Sequence, residues 1–154
     1  MFDNFNVVPR TRNQRRIFSL IIGLVLAITI GLVYGLFMNS FNIRFEFQIV
    51  FILIGYGIGI AIQKIGRGVQ GQIEFSIIAA GCAFLCFLIA DLVTLRGLSI
   101  FTTHLSTIHI HIQFIFARMF DLSGGNLLFS VLSIFFRAAG VLYAYRNAVL
   151  VINR

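Results

Sequence analysis

From Ile17 to Met38 the chain runs for 22 residues without a charge. About 20 apolar residues are enough for a helix to cross the ~30 Å hydrocarbon layer of a bilayer, so this run alone restricts the fold severely. Three further apolar runs follow, at about 45–63, 75–95 and 126–145, the third interrupted by Asp91 and the fourth by Arg137. Hydrophobic residues make up 59% of the 154 residues and charged ones only 11%, against about 25% charged in ordinary soluble domains. That leaves too little polar surface to coat a water-soluble globule. The sequence therefore reads as an all-α membrane protein with four transmembrane helices, and a soluble enzyme, a disordered linker and a nucleic-acid-binding domain are set aside.

The excess of positive charge, 12 basic residues against 5 acidic, lies mostly between the apolar runs. Cytoplasmic loops of membrane proteins collect Lys and Arg, and anionic headgroups attract them, so lipid rather than nucleic acid is the expected partner of Arg10, Arg12, Arg15, Arg16, Lys64 and Arg67. With four spans and the N-terminus inside, the inner side holds eight basic residues and the outer side three, Arg44, Arg96 and Arg118. The expected organisation is a basic cytoplasmic segment over 1–16, a transmembrane domain over 17–145 and a cytoplasmic tail over 146–154. Although the arginines before the first span resemble the start of a signal peptide, that span exceeds the usual ~7–15 apolar residues and no small-x-small site follows it. An uncleaved anchor is expected.

Gly97 to Gly125 is the long connection. A fifth span at 98–120 is conceivable by length, but Thr102, Thr103, His104, Ser106, Thr107, His109, His111, Gln113 and Arg118 make it too polar for lipid on all sides. Phe101, Leu105, Ile108, Ile112, Ile115 and Met119 recur at spacings of 4, 3, 4, 3 and 4, one helical stripe, beside a polar stripe of His104, Thr107, His111 and Arg118. An amphipathic segment in the outer headgroup layer or across the bundle mouth fits that pattern. The alternation over Ile108–Ile112 also fits a short strand.

Helices already in lipid gain little from hydrophobicity on associating, so close backbone approach at small residues has to contribute. Gly23, Ala27, Gly31 and Gly35 recur every four residues in the first span, and Gly55 and Gly59 mark the second. These stripes suit packing within the chain, dimerisation or a partner subunit. The Gly-rich loop over 63–72 lacks the GxxxxGK[ST] pattern and joins two apolar runs, so it reads as a turn that places Lys64 and Arg67 among lipid phosphates. Pro9, the only proline, lies outside every span, and no proline-broken helix marks a transporter-type site.

A charge in hydrocarbon is costly, which singles out Asp91 and Arg137. Side chains lean toward the N-terminus of their own helix, so on antiparallel third and fourth spans Asp91 leans inward, Arg137 leans outward, and an ion pair is expected. It serves either to pin the two helices or as a polar element on a proton or ion path. No metal site is expected: His104, His109 and His111 have no Asp, Glu or Cys close in sequence, and His109 falls off the His104/His111 face. The spans contain no histidine to ligate haem or to serve as a base for Ser76, Ser130 or Ser133, so neither a cofactor nor a catalytic group is expected. Cys82 and Cys86 share a helix face and read as small packing residues.

Ile54-Gly55-Tyr56-Gly57-Ile58-Gly59-Ile60-Ala61-Ile62, then Gly66-Arg67-Gly68, then Phe75-Ser76-Ile77-Ile78-Ala79-Ala80 resemble a group of small, uncharacterised bacterial multi-pass membrane proteins over residues 47–92. The resemblance implies a bacterial inner membrane and carries no activity with it. The function expected is a structural or accessory subunit, not an enzyme, that packs with other membrane proteins or with itself through its glycine stripes and the surface of its 18 phenylalanines and 4 tyrosines. The alternative is a small oligomeric channel or transporter with Asp91 and Arg137 near the pathway.

Overall fold

The computed structural model describes residues 11–41, 49–65, 73–97, 99, 105–119 and 127–148. The fold is all-helical: α1 (Arg12–Phe41), α2 (Ile49–Ile65), α3 (Ile73–Arg96), α4 (Leu105–Met119) and α5 (Leu127–Asn147). Arg10, Arg67, His104, Gly124 and Gly125 lie outside the described residues, as does the tail beyond 148.

Local chemistry sets where the helices start and stop. α1 begins five residues before the apolar run because Thr11 and Gln14 form a capping box: the Thr11 backbone N–H donates to Gln14 Oε1 at 3.1 Å, and the Arg15 N–H closes the first turn on the Thr11 carbonyl. The cytoplasmic segment expected over 1–16 is thus helical from Arg12 onward. α3 ends at Arg96 because Gly97 takes a φ of 61°, the left-handed cap that glycine adopts without a Cβ clash. Two of α3's last carbonyls are met from α1, where Asn39 Nδ2 donates to Thr94 O at 3.0 Å and lies 3.5 Å from Val93 O. Inside the apolar stretches, Thr29 and Thr94 donate their hydroxyls to carbonyls one turn back, Val25 O and Ala90 O, which satisfies a polar group within an apolar helix.

Among the described residues, two helices are long and apolar enough to cross a membrane, Asn13–Ser40 and Ile73–Arg96, and a third apolar helix, Ile49–Lys64, is shorter. Two, rather than the four read from the sequence, is the number that length and composition support. The described helix of the second run, α2, has 17 residues, or about 25 Å at 1.5 Å per residue; residues 45–48 of that run lie outside the described residues. α5 has 21 residues and carries Arg137 at its middle.

The helix directions follow from which residues meet. Arg16 reaches Glu74, and Gly31 lies against the Cys86 carbonyl, so α1 and α3 run parallel. Gly55 lies against Gly140 and Gly59 against Ala144, so α2 and α5 also run parallel. Gly23 beside Ile62 and Tyr34 beside Phe51 make α1 and α2 antiparallel, and Arg137 at Asp91 with Phe87 at Gly140 makes α3 and α5 antiparallel. Since α5 runs opposite to α3, α4 does not carry the chain back along the full bundle; a complete fifth crossing would have left the two parallel. α3 sits centrally and touches every other helix, with α1 and α5 on opposite flanks.

Residues 105–119 are helix, not strand. Ile115 is buried and Ile112 half-buried, while His109, Ile110, Phe114 and Phe116 are exposed, so α4 rests on α3 and α5 by a narrow stripe. The core combines small residues with a few large ones: Ala27, Phe51, Ile58, Ile62, Phe75, Ala79, Cys82, Ala83, Cys86, Phe87 and Ala144. Outward, the same helices present large apolar side chains. Ile17, Val25, Val33, Leu53, Ile77, Phe135 and Leu142 are each more than half exposed.

Candidate functional site

Arg137 projects from the middle of α5 toward α3, where its Nη2 donates to Asp91 Oδ1 at 2.8 Å. The structure thus brings together the two charges that the sequence places inside apolar runs. The side chains are 9% and 15% exposed, so water contributes little to either. Arg137 Cζ also lies 4.6 Å from the centre of the Phe51 ring, on α2. A desolvated guanidinium over an aromatic face gains about 2 kcal/mol, which offsets part of the cost of burying the charge. Phe51 is itself fixed edge-on by Phe87 at 4.9 Å and Tyr34 at 5.5 Å, so all four long helices contribute to one buried cluster.

Pattern reading misses Phe51, Phe87 and Tyr34, because nothing in their sequence neighbourhoods distinguishes them from the other aromatic residues. Glu74 is a second omission. Its carboxylate pairs with Arg16 at the α1–α3 end of the bundle, so one of the arginines assigned to lipid has a protein partner. Of the other residues in that group, Lys64 is exposed and Arg15 half-buried, and Arg12 is the first residue of α1.

Both glycine stripes face other helices of the chain. A Cβ on Gly23 would lie 2.7 Å from Cys82 Sγ, one on Gly31 2.8 Å from the Cys86 carbonyl, and one on Gly35 2.7 Å from Val93 Cβ. Ala27, on the same stripe, is fully buried. Gly55 meets the Gly140 backbone, and a Cβ on Gly59 would lie 2.9 Å from the Ala144 carbonyl. Gly140 and Ala144 repeat the small-xxx-small spacing, and that is the signal by which the sequence marks them. Ser19, four residues before Gly23, is fully buried and extends the α1 stripe by one turn.

Cys82 and Cys86 are free thiols buried on the face of α3 that meets α1. Among the described residues no three His, Cys, Asp or Glu side chains are grouped to hold a metal ion. An open groove of about 400 Å³ runs between α1 and α2, lined by Ile30, Val33, Phe37, Val50 and Ile54 together with Thr29 and Tyr34. Its exposed lining is apolar, and neither Asp91 nor Arg137 contributes to it. The pair is placed to hold α3, α5 and α2 together.

No protein-family model, curated protein or solved structure matches this chain.

Proposed function

We propose that the chain is a multi-pass membrane protein in which α1, α2, α3 and α5 cross the bilayer, α4 lies at the outer end, and both termini face the cytoplasm. The observation that carries this reading is the burial pattern: stripes of glycine, alanine and cysteine and the ion pair face inward around a few large side chains such as Phe51, Ile58 and Phe87, while every long helix also presents large aliphatic and aromatic side chains outward. In water that arrangement would expose far more contiguous apolar surface than a soluble monomer tolerates. In lipid it is the expected one. The alternating helix directions and the collection of Arg15, Arg16, Lys64 and Arg146 at one end support the same topology. The resemblance over residues 47–92 favours a bacterial inner membrane.

Within that setting the protein serves as a structural or accessory subunit. Its interior is closed by glycine contacts and by an ion pair stacked on an aromatic ring, which suits a rigid element more than a pathway. Partner contact then falls to the outward residues of α2, α4 and α5, such as Tyr56, Phe114, Phe135 and Tyr143, all substantially exposed. Purification of the full chain in mild detergent, followed by mass analysis of what co-elutes, tests the assignment. A stoichiometric second membrane protein is expected; a homo-oligomer that passes ions in liposomes would replace this reading with the channel.

A further inference from the structure

The four long helices meet one another in two ways. Within α1/α3 and within α2/α5 backbone seats on backbone: the nearest backbone atoms to Gly31 and Gly35 belong to α3, those to Gly55 and Gly59 to α5, and those to Gly140 to α2. A Cβ at Gly31, Gly59 or Gly140 would fall 2.8, 2.9 or 2.5 Å from a carbonyl of the facing helix, an approach that leaves neither backbone room to move past the other. Arg16 with Glu74 and Asn39 with the Thr94 carbonyl also tie α1 to α3 at both ends. Between the two helix pairs the contacts run through side chains, which can follow a moving neighbour by changing rotamer. They include Asp91 with Arg137, Phe51 with Phe87 and Tyr34, and the end of the Ile62 side chain against Gly23. Phe51 shows the division within one residue: its carbonyl is seated on Gly140 of its own helix pair, while its ring meets Phe87 and Tyr34 of the other.

These cross-contacts are uneven along the bundle. Toward the Arg16–Glu74 end α2 buries Ile58 and Ile62 fully in the core, and Ile62 reaches Gly23. Toward the other end the groove of about 400 Å³ separates α1 from α2, and the ion pair bridges the opposite seam, between α3 and α5. α4 touches one helix of each pair there by its narrow stripe and contributes no residue to the groove. We propose that the molecule consists of two helix-pair units, α1/α3 and α2/α5, which pivot where Ile62 meets Gly23 and are latched at the far end by Asp91 and Arg137, so that releasing the ion pair widens the α1–α2 groove while both helix pairs stay intact. Arg137 is held within its own unit by the Phe51 ring, and the Asp91 carboxylate is the part of the latch that the other unit supplies. Its loss removes the charge attraction across the seam and leaves ring and apolar contacts, which packed interfaces rearrange by shifts of about 1–2 Å. The two units follow from helix contacts alone, so they stand or fall separately from the membrane and subunit readings.

The test measures spin-label distances in the full chain, purified in mild detergent, between cysteines placed two at a time at exposed positions; Cys82 and Cys86 are buried and stay unlabelled. Val33→Cys with Leu53→Cys spans the two units, Val33→Cys with Leu85→Cys lies within α1/α3, and Leu53→Cys with Leu142→Cys lies within α2/α5. Adding Asp91→Asn is expected to lengthen the Val33–Leu53 distance by more than about 2 Å, beyond the small helix shifts of packed interfaces, and to change the other two by less than about 1 Å. Arg16→Gln, which loosens a contact inside one unit, is expected to leave Val33–Leu53 within about 1 Å of its original value. An unchanged Val33–Leu53 distance in Asp91→Asn, an equal change in all three distances, or an equal lengthening in Arg16→Gln would overturn the proposal. A second measurement keeps Asp91 and Arg137 in place and raises a denaturing detergent stepwise. Val33–Leu53 is expected to separate first, with both distances inside the units retained; loss of all three together, or of either inside distance first, would overturn the proposal even if Asp91→Asn does not fold.

Discussion

Replacing Asp91 with Asn leaves the Arg137 guanidinium in place, stacked on Phe51, but without its counter-charge. With only 9% of the Arg137 side chain exposed, water cannot take over that role, and breaking a buried pair from one side costs about 3–5 kcal/mol. The cation–π contact remains in this variant, so the loss is expected toward the lower end of that range, about 3 kcal/mol. Arg137→Gln leaves Asp91 buried at 15% exposure and loses the ring contact as well, so it should cost slightly more, about 4 kcal/mol. The double variant leaves two neutral amides and no uncompensated buried charge, and should recover part of the sum, with a coupling of at least about 2 kcal/mol. Reversible unfolding of the purified protein in mixed micelles, followed by far-ultraviolet circular dichroism, measures all four corners of the cycle. If each single variant loses under about 0.5 kcal/mol, or if the double variant is merely the sum of the two, the pair does not hold α3 to α5 and the explanation given for Arg137 in an apolar helix fails.

The glycines separate into two groups that one substitution distinguishes. Gly55→Ala drives a methyl into the Gly140 backbone and should prevent native packing of α2 on α5, whereas Gly57→Ala and Gly81→Ala, where a Cβ meets nothing within 4 Å, should be neutral or stabilise by about 0.5–1 kcal/mol through helix propensity; the same unfolding assay reads both. Gly97→Ala forces a Cβ into the left-handed region at φ 61° and should cost about 1–2 kcal/mol in that assay. Arg16→Gln, by contrast, breaks a pair whose side chains are 32% and 40% exposed and should cost no more than about 1 kcal/mol. Cys82 and Cys86, buried against α1, should resist a small maleimide in the folded protein and react once denaturant is added; prompt labelling of the native chain would contradict the α1–α3 contact.

The Asp91–Arg137 contact was legible in the sequence because a charge inside an apolar run has few options and helix geometry fixes the lean of each side chain. The glycine stripes were legible as surfaces of close approach but not as to what they approach, since small-xxx-small spacing records a distance and carries no address. That α1 pairs in parallel with α3 and meets its hairpin neighbour α2 less extensively depends on complementary side-chain volumes, such as Cys82 against Gly23 and Val93 against Gly35, which no single-helix pattern reveals. Helix ends were misplaced where polar residues extend the helix beyond the apolar run. The Thr11–Gln14 box at the start of α1 could have been read from its T-x-x-Q spacing, whereas Asn39 donating to the end of α3 could not, because its acceptors lie 54 and 55 residues away. Phe51 is invisible for a related reason: its distinction comes from what surrounds it.

Single cysteines placed at Ser99, beyond the end of α3, and at Asn147, at the end of α5, test the four-crossing arrangement directly. A membrane-impermeant maleimide applied to intact cells should label Ser99→Cys and leave Asn147→Cys unmodified until the membrane is opened. Labelling of Asn147→Cys from outside, or equal reaction of both positions in a soluble extract, would contradict it.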